Sequence, residues 1–146
     1  MKLLFVVHRY VPYPGGSEYY VRDMAEECMR RGHHDVTVLS HEHQGDRNGV
    51  KVSSDYENIL NQYWDLIIVH GGDVVSQNVV HSNSDIIKCP ILYLIVKPSD
   101  SPICQKGLEH SRFLGYSTSM DIEHLRKHNV LDKGRRIRHG IVPQIH

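Results

Sequence analysis

The chain has 146 residues, which suits one domain of ordinary size, and its hydrophobic (40%) and charged (23%) contents are those of a globular protein. Lysine plus arginine and aspartate plus glutamate number 17 each, so no net basic charge favours nucleic-acid binding. No apolar run approaches the roughly 20 residues of a transmembrane segment.

Cysteine and histidine usage indicates neither a disulfide framework nor a metal centre. The three cysteines are scattered and odd in number, which predicts reduced thiols and a cytoplasmic location. Four of the twelve histidines, His33, His34, His41 and His43, lie around a predicted strand and its following loop. Because no cysteine lies near them, a solvated loop is favoured and no metal is predicted.

The first forty residues contain a strand, a glycine-containing loop, a helix and a second strand. Residues 3–7 form a continuous apolar run, as expected for a strand buried on both faces of a parallel sheet. Ser17 is a suitable N-cap for the helix, with Glu18 in its first turn, and Gly32 is a suitable C-terminal stop. One side of this helix carries apolar residues at helical spacing, namely Tyr20, Val21, Met24, Ala25, Cys28 and Met29. With a second strand over 36–39, the segment predicts a right-handed βαβ unit.

The same alternation continues through the rest of the chain. Further strands are predicted over residues 50–52, 66–69, 91–96, 112–116 and 135–138. Helices are predicted over residues 56–63 and 74–80, and from a cap at Ser117 or Thr118 to about residue 128. A polar loop containing Pro98 and Pro102 is expected before the strand at 112–116. The pattern predicts a single α/β domain over residues 1–146, with a Rossmann-like, doubly wound, mostly parallel sheet and helices on both faces.

In such a sheet, ligands bind outside the carboxyl ends of the strands. The loops at these ends are 8–17, 41–47, 70–73, 97–101 and 117–119, and they carry most of the groups that can contact a polar ligand.

The turn formed by Pro14, Gly15, Gly16 and Ser17 is the most distinctive of these segments. Glycine lets the backbone approach a ligand closely, and the N-terminus of the following helix presents unpaired N–H groups that suit a phosphate or a sugar hydroxyl. An ordinary strand-to-helix turn is the alternative interpretation. The adjacent glycines match neither the dinucleotide-binding fingerprint nor a Walker A loop.

Residues 6–18 resemble the opening of the family 4 retaining glycosyltransferases, in which a first strand leads through a Pro-x-x-Gly-Gly turn into a helix that ends in Arg-Gly-His. Here that ending is at residues 31–33. Residues 64–70 are similar to the family's strand that ends in histidine, and residues 115–117 are similar to the strand before its serine-capped helix. Residues 138–143 resemble the segment that leads into the second domain, so the resemblance extends along nearly the whole chain.

This resemblance implies the N-terminal, acceptor-side domain of a GT-B glycosyltransferase that uses a nucleotide-sugar co-substrate and no permanently bound cofactor. It places Gly15 and Gly16 near the donor diphosphate, where helix-end amides stabilise a leaving group, and Ser17 and Glu18 on the acceptor side. The substrate- and phosphate-binding residues expected at the carboxyl edge are Gly15, Gly16, Ser17, Glu18, His70, Gly71 and Ser117.

Two departures from the family pattern stand out. Where the family commonly has a histidine close to the reacting sugar, the matching position is Lys97, which becomes the candidate catalytic residue. In addition, the family's second, donor-binding domain is not within the 146 residues. The chain is therefore expected to be inactive alone. It can be part of a longer polypeptide, a degenerate gene product, or one subunit of an enzyme whose second domain lies on a partner chain; homo-oligomerisation through the face that this domain would cover is a further expectation.

Two other functions remain open. The chain can be a non-catalytic module that binds a carbohydrate or a protein through the same loops, or an unrelated nucleotide-binding Rossmann protein. The absent dinucleotide fingerprint argues against the second.

Overall fold

The computed structural model describes residues 1–8, 10, 16–32, 35–41, 45–70, 74–83, 85–95, 101–116 and 119–136. Within these ranges, eight strands form one sheet: β1 (Lys2–Val7), β2 (Asp35–Ser40), β3 (Gly45–Arg47), β4 (Val50–Ser53), β5 (Leu66–His70), β6 (Ile91–Leu94), β7 (Phe113–Tyr116) and β8 (Gly134–Arg136). The helices are α1 (Gly16–Arg30), α2 (Tyr56–Leu60), α3 (Val74–His81), α4 (Pro102–His110) and α5 (Ser119–Lys127), and a 3₁₀ turn follows at Leu131–Lys133. In the described part of the chain, no helix combines the length and the apolar character that crossing a membrane requires.

The strands follow the order β3-β4-β2-β1-β5-β6-β7-β8 across the sheet. Seven of them pair in parallel, and the short β3 runs antiparallel to β4 at one edge. Helix α1 packs on one face of the sheet, whereas α2 and α3 pack on the other. The predicted Rossmann-like, doubly wound and mostly parallel sheet is therefore confirmed.

Side chains of β1 alternate between two buried faces. Leu3, Phe5 and Val7 lie in a core with α1, on what we name the α1 face. Leu4 and Val6 lie in a second core with α2 and α3, on what we name the α2 face. Burial on both faces explains why this strand is a continuous apolar run in the sequence.

Helix α1 buries the apolar stripe that the sequence predicts. Val21 and Ala25 are almost completely buried. The half-buried side chains packed around the same core are Tyr20, Met24, Cys28 and Met29. The helix covers the sheet through this stripe, so the predicted core face of α1 is confirmed.

The two ends of α1 differ in how well the sequence predicted them. Gly32 has a φ of 74°, the left-handed conformation that ends a helix, which confirms the predicted stop. The helix begins at Gly16, so Ser17 lies inside it and the predicted N-cap is wrong. Glycine adopts helical angles without steric cost, so the first turn extends back past the serine.

Helix α2 is shorter than the predicted 56–63 and ends at Leu60. The Asn61 side-chain amide donates to the backbone carbonyl four residues earlier, at 2.7 Å. The Trp64 indole N–H donates to the carbonyl five residues earlier, also at 2.7 Å. Because side chains occupy carbonyls near the helix end, the chain can leave the helix without losing hydrogen bonds.

Strand β3 was not predicted, since residues 41–47 were assigned to a loop. A two-residue turn at Asn48 and Gly49 joins β3 to β4, and both residues are left-handed, with φ values of 53° and 85°. Asn-Gly is the sequence typical of this hairpin turn. The strand itself, Gly45–Arg47, carries no apolar side chain, so its hydrophobic pattern gave no signal.

Helix α4 was also missed, because the polar segment around Pro98 and Pro102 was predicted as a loop. The helix begins at Pro102, where a missing backbone N–H costs no helical hydrogen bond, and Ser101 occupies the N-cap position. Cys104 and Leu108, four residues apart, are its buried side chains, and Leu108 packs in a core with β6 and β7. The short apolar stripe and the Ser-Pro start were the available sequence signals.

Gly107 allows close packing between α4 and its neighbours. A methyl group at this position would lie 2.5 Å from Cε2 of Tyr93 and 2.7 Å from Nε2 of His81. Tyr93 is fixed there by a hydrogen bond that its hydroxyl donates to the Gln77 amide oxygen, at 2.9 Å. His81 is fully buried, and neither of its ring nitrogens has a hydrogen-bond partner among the described residues.

Gly107→Ala should lower the free energy of unfolding by about 1–3 kcal/mol, because the added methyl group must displace two packed rings. Urea denaturation of both proteins measures this difference. The matched control is Glu109→Ala at an exposed position of the same helix, which should change stability by less than about 0.5 kcal/mol. Equal effects of the two substitutions would contradict the close packing at Gly107.

The stability of the fold should decrease in acid because of His81. Burial, together with the nearby positive charges of His110 and Lys106, lowers the pKa of this imidazole from 6.5 to about 4. The folded-state pKa lies below the unfolded one, so neutral His81 makes its full contribution to the free energy of unfolding above pH 6.5. That contribution, about 3 kcal/mol, is lost as the pH falls toward 4.

His81→Phe should therefore flatten the dependence of unfolding free energy on pH between about pH 7 and pH 4. The exposed His110→Gln substitution on α4 is the control and should leave most of the dependence in place. Parallel curves for wild type and His81→Phe would show that His81 is not the buried acid-sensitive group.

Candidate functional site

The carboxyl ends of β1 and β2 are joined at one edge of the sheet. His8 follows β1 and His41 follows β2, and the backbone N–H of His41 donates to the carbonyl of His8 at 2.8 Å. The Ser40 hydroxyl donates to the same carbonyl at 3.3 Å. Parallel pairing of the two strands thus brings both histidines to neighbouring positions on the rim of the sheet.

Three aromatic rings meet at this rim, and we name them the ring cluster: His8, His41 and Tyr56. The two imidazoles lie 5.4 Å apart between centroids and 29° from parallel. Tyr56, at the start of α2, lies 5.8 Å from the His41 ring at 20°, and its hydroxyl hydrogen-bonds with Nδ1 of His41. Nδ1 of His8 is shielded from solvent and has no hydrogen-bond partner among the described residues.

A second aromatic pair lies at the end of β5 on the α1 face. The rings of Tyr20 and His70 are 5.9 Å apart and inclined by 57°. His70 is only 2% exposed, and burial raises the pKa of the Tyr20 hydroxyl. His70 therefore lies at the predicted edge, packed with a side chain of α1 rather than open to solvent.

The structure describes four of the eight predicted site residues, counting Lys97. Gly16, Ser17 and Glu18 form the start of α1, and His70 ends β5. Tyr20 lies in the next turn of α1 and connects this helix start to His70. The remaining predicted positions, Gly15, Gly71, Lys97 and Ser117, lie outside the described residues.

Sequence reasoning did not identify the ring cluster. Residues 8–17 and 41–47 were selected as rim loops, but Tyr56 was treated only as the start of a helix. His8 and His41 directly follow the two strands of the predicted βαβ unit, so their proximity was open to inference from the sequence. The contribution of Tyr56 depends on where α2 meets the rim, which no local pattern encodes.

A groove of about 420 Å³ lies at the opposite, amino edge of the sheet, beside Trp64 and Pro90. Its carboxylate has structural partners: Asp65 accepts from the backbone N–H of Lys2 at 2.7 Å and from the hydroxyl of Tyr63 at 2.6 Å. Ligands of doubly wound sheets bind at the carboxyl edge, so this groove is not the candidate site.

The described residues contain no group of three or more side chains that could hold a metal ion. The three cysteines are free thiols. Burial raises the pKa of Cys28 and of Cys89, which keeps these thiols protonated and poorly nucleophilic. The side chains described at the rim, in the ring cluster and at Tyr20, Ser40 and His70, offer imidazole, phenol and hydroxyl groups.

The fold is shared with HepE from Anabaena. Crystal structures of that protein with UDP-glucose, with UDP and glucose, and with UDP superpose on this chain with TM-scores of 0.67, 0.66 and 0.64. Sequence identity is 16% in each case, and each match covers 97% of this chain. The chain spans 44–45% of HepE, less than half its length. No protein-family model and no curated protein matches the sequence.

Tyr56→Phe should alter the protonation pattern of His41. If the hydroxyl donates to Nδ1, the neutral imidazole carries its proton on Nε2, and removing the hydroxyl should give a mixture of tautomers. Proton–nitrogen NMR correlation of the imidazole distinguishes the two forms. Tyr63→Phe, which removes a hydroxyl bonded to Asp65 at the other edge, is the control. A wild-type protein that already shows the mixture would contradict the assignment.

Proposed function

We propose that this chain is the acceptor-side half of a nucleotide-sugar-dependent glycosyltransferase with the GT-B architecture. The observation that carries the proposal is the match of 97% of the chain to a protein crystallised with UDP-glucose and with UDP, of which the chain spans less than half. The sequence resemblance to the family 4 retaining enzymes supports the finer assignment, including retention at the anomeric carbon.

The rim geometry is suited to this role. Helix α1 is the next element after β1 in the chain. Backbone N–H groups at a helix start are available to an anionic or hydroxyl-bearing ligand. The ends of β1, β2 and β5 are adjacent across the sheet, so the α1 start, the ring cluster and His70 belong to one edge. Binding groups from several strands can therefore contact one ligand.

Within this proposal, different residues contact different parts of the two substrates. Gly15 and Gly16 contact the donor diphosphate, and Ser17 and Glu18 face the acceptor. Lys97 lies close to the reacting sugar, where an ammonium group can stabilise negative charge that develops on the leaving phosphate. The further substrate contacts are made by His70, Gly71 and Ser117.

The nucleotide-sugar is a co-substrate in this scheme, and no cofactor is bound permanently. Transfer requires donor and acceptor to be held in one geometry, which converts a bimolecular reaction into an effectively unimolecular one. A second domain, on a partner polypeptide or elsewhere in a longer chain, forms the donor-binding side of the active-site cleft. The isolated 146-residue chain is accordingly expected to be inactive.

A chimaera in which this chain replaces the matched region of HepE tests the proposal. Incubated with UDP-glucose and a panel of acceptors, the chimaera should transfer sugar, whereas the isolated chain should not. Lys97→Ala in the chimaera should reduce the rate by about 100-fold, in line with the loss of one charge-stabilising group. The controls are the HepE remainder alone and Lys88→Ala, an exposed lysine near the amino edge.

Transfer by the isolated chain would contradict its dependence on a second domain. A folded chimaera that binds UDP-glucose but transfers to no acceptor would instead favour the second candidate function, a non-catalytic carbohydrate- or protein-binding module. The observation that favours this alternative is the ring cluster, since three neighbouring aromatic rings at the rim can contact a ligand without any second domain.

A further inference from the structure

A groove of about 530 Å³, lined by both apolar and hydrogen-bonding side chains, lies beside α3 on the α2 face of the sheet. We name it the α3 groove. Six of the side chains that line it are His41, Tyr56, Asn78, Ser82, Asn83 and Ile103. Its volume falls within the roughly 300–1,000 Å³ that is typical of small-molecule sites.

The α3 groove is continuous with the rim of the sheet. Two members of the ring cluster, His41 and Tyr56, lie at its rim end. Asn78 lies within α3, and Asn83 lies just beyond the helix end. The two residues are five positions apart, which corresponds to roughly 7 Å along the helix axis. The groove therefore extends away from the rim along α3.

Hydrogen-bonding groups in the α3 groove are held in place and have unused capacity. The Ser82 hydroxyl donates to the Asn78 amide oxygen at 3.0 Å, and this leaves the Asn78 amide nitrogen without a partner among the described residues. The Asn83 amide nitrogen donates to the Val79 carbonyl at 2.6 Å, and its amide oxygen has no such partner. His41 uses Nδ1 for Tyr56, which leaves Nε2 for a ligand.

No described residue that lines the α3 groove carries a formal charge, apart from the titratable ring of His41. Phosphate and carboxylate ligands are recognised by arginine, lysine or clustered N–H donors, which the described lining lacks. Amide and hydroxyl groups that can both donate and accept suit alcohol groups, and the flat faces of His41 and Tyr56 suit an apolar ring face. A neutral sugar presents both kinds of surface.

We propose that the α3 groove binds a neutral saccharide. The proposal rests on the proposed function, in which the groove holds the sugars of the acceptor that trail behind the reacting end at the rim. The acceptor class that follows is an uncharged oligosaccharide, with one sugar against the ring cluster and the next beside Asn78 and Ser82.

Titration of the isolated 146-residue chain with oligosaccharides, followed by NMR, tests this directly. The neutral probes are maltotetraose, cellotetraose and chitotetraose; the acidic probe is tetragalacturonate, and UDP and inorganic phosphate complete the set. At least one neutral probe should shift the side-chain amide signals of Asn78 and Asn83 in a saturable way, while tetragalacturonate, UDP and phosphate should not. Unchanged Asn78 and Asn83 signals with all three neutral probes, or stronger shifts with an acidic probe, would overturn the proposal.

Substitutions show whether the contacts are those proposed. Asn78→Ala and Ser82→Ala should each weaken saccharide binding about tenfold, the loss expected for one hydrogen bond within a polar site. Gln62→Ala, an exposed amide at the amino-edge groove, should leave the affinity unchanged. Because both substituted groove residues are exposed, the two variants should melt at the same temperature as the wild type. If both variants bound saccharide with wild-type affinity, the proposal would be overturned.

The two proposals fail in different ways. If the groove binds saccharide but the HepE chimaera transfers no sugar, the glycosyltransferase assignment is lost and the saccharide site remains. If the chimaera transfers sugar, and Asn78→Ala leaves its preference among acceptors unchanged, the groove assignment is lost and the glycosyltransferase assignment remains.

Discussion

Strand β1 pairs with β2 on one edge and with β5 on the other, and its side chains are buried on both faces. A shift of one residue in either register would exchange the α1 and α2 faces and place each core side chain against the wrong helix. The register is therefore strongly specified, and it determines which residues meet at the rim. His8 lies beside His41 because the strands that precede them are aligned.

Much of the fold followed from hydrophobic pattern. The apolar run of β1 and the stripe along α1 predicted buried elements, and both have the predicted faces. What the pattern missed was short or polar: β3 has three residues and no apolar side chain, and α4 has few apolar positions behind a proline. In both cases the available sequence signal was a turn or a helix start, at Asn48 and Gly49 for β3 and at Ser101 and Pro102 for α4, rather than hydrophobic periodicity.

The candidate site was predictable in position but not in composition. Strand ends in a doubly wound sheet identify the rim, and His70 lies there as expected. Burial of His70 with Tyr20 depends on how closely α1 approaches β5, which is a property of tertiary packing. The α3 groove likewise depends on the spacing between α2, α3 and α4, and the close approach of α4 at Gly107 has no counterpart in local sequence pattern.

The outermost strands of the described sheet, β3 and β8, are both three residues long and both contain arginine. A long, flat, uncharged outer strand is a template on which further chains can add and polymerise into fibres. Short charged borders discourage such growth, so the described part of the sheet is a poor template for edge-to-edge pairing with copies of itself. Even at high protein concentration, contacts with other molecules are therefore expected at the carboxyl rim and the helices rather than at these two outer strands.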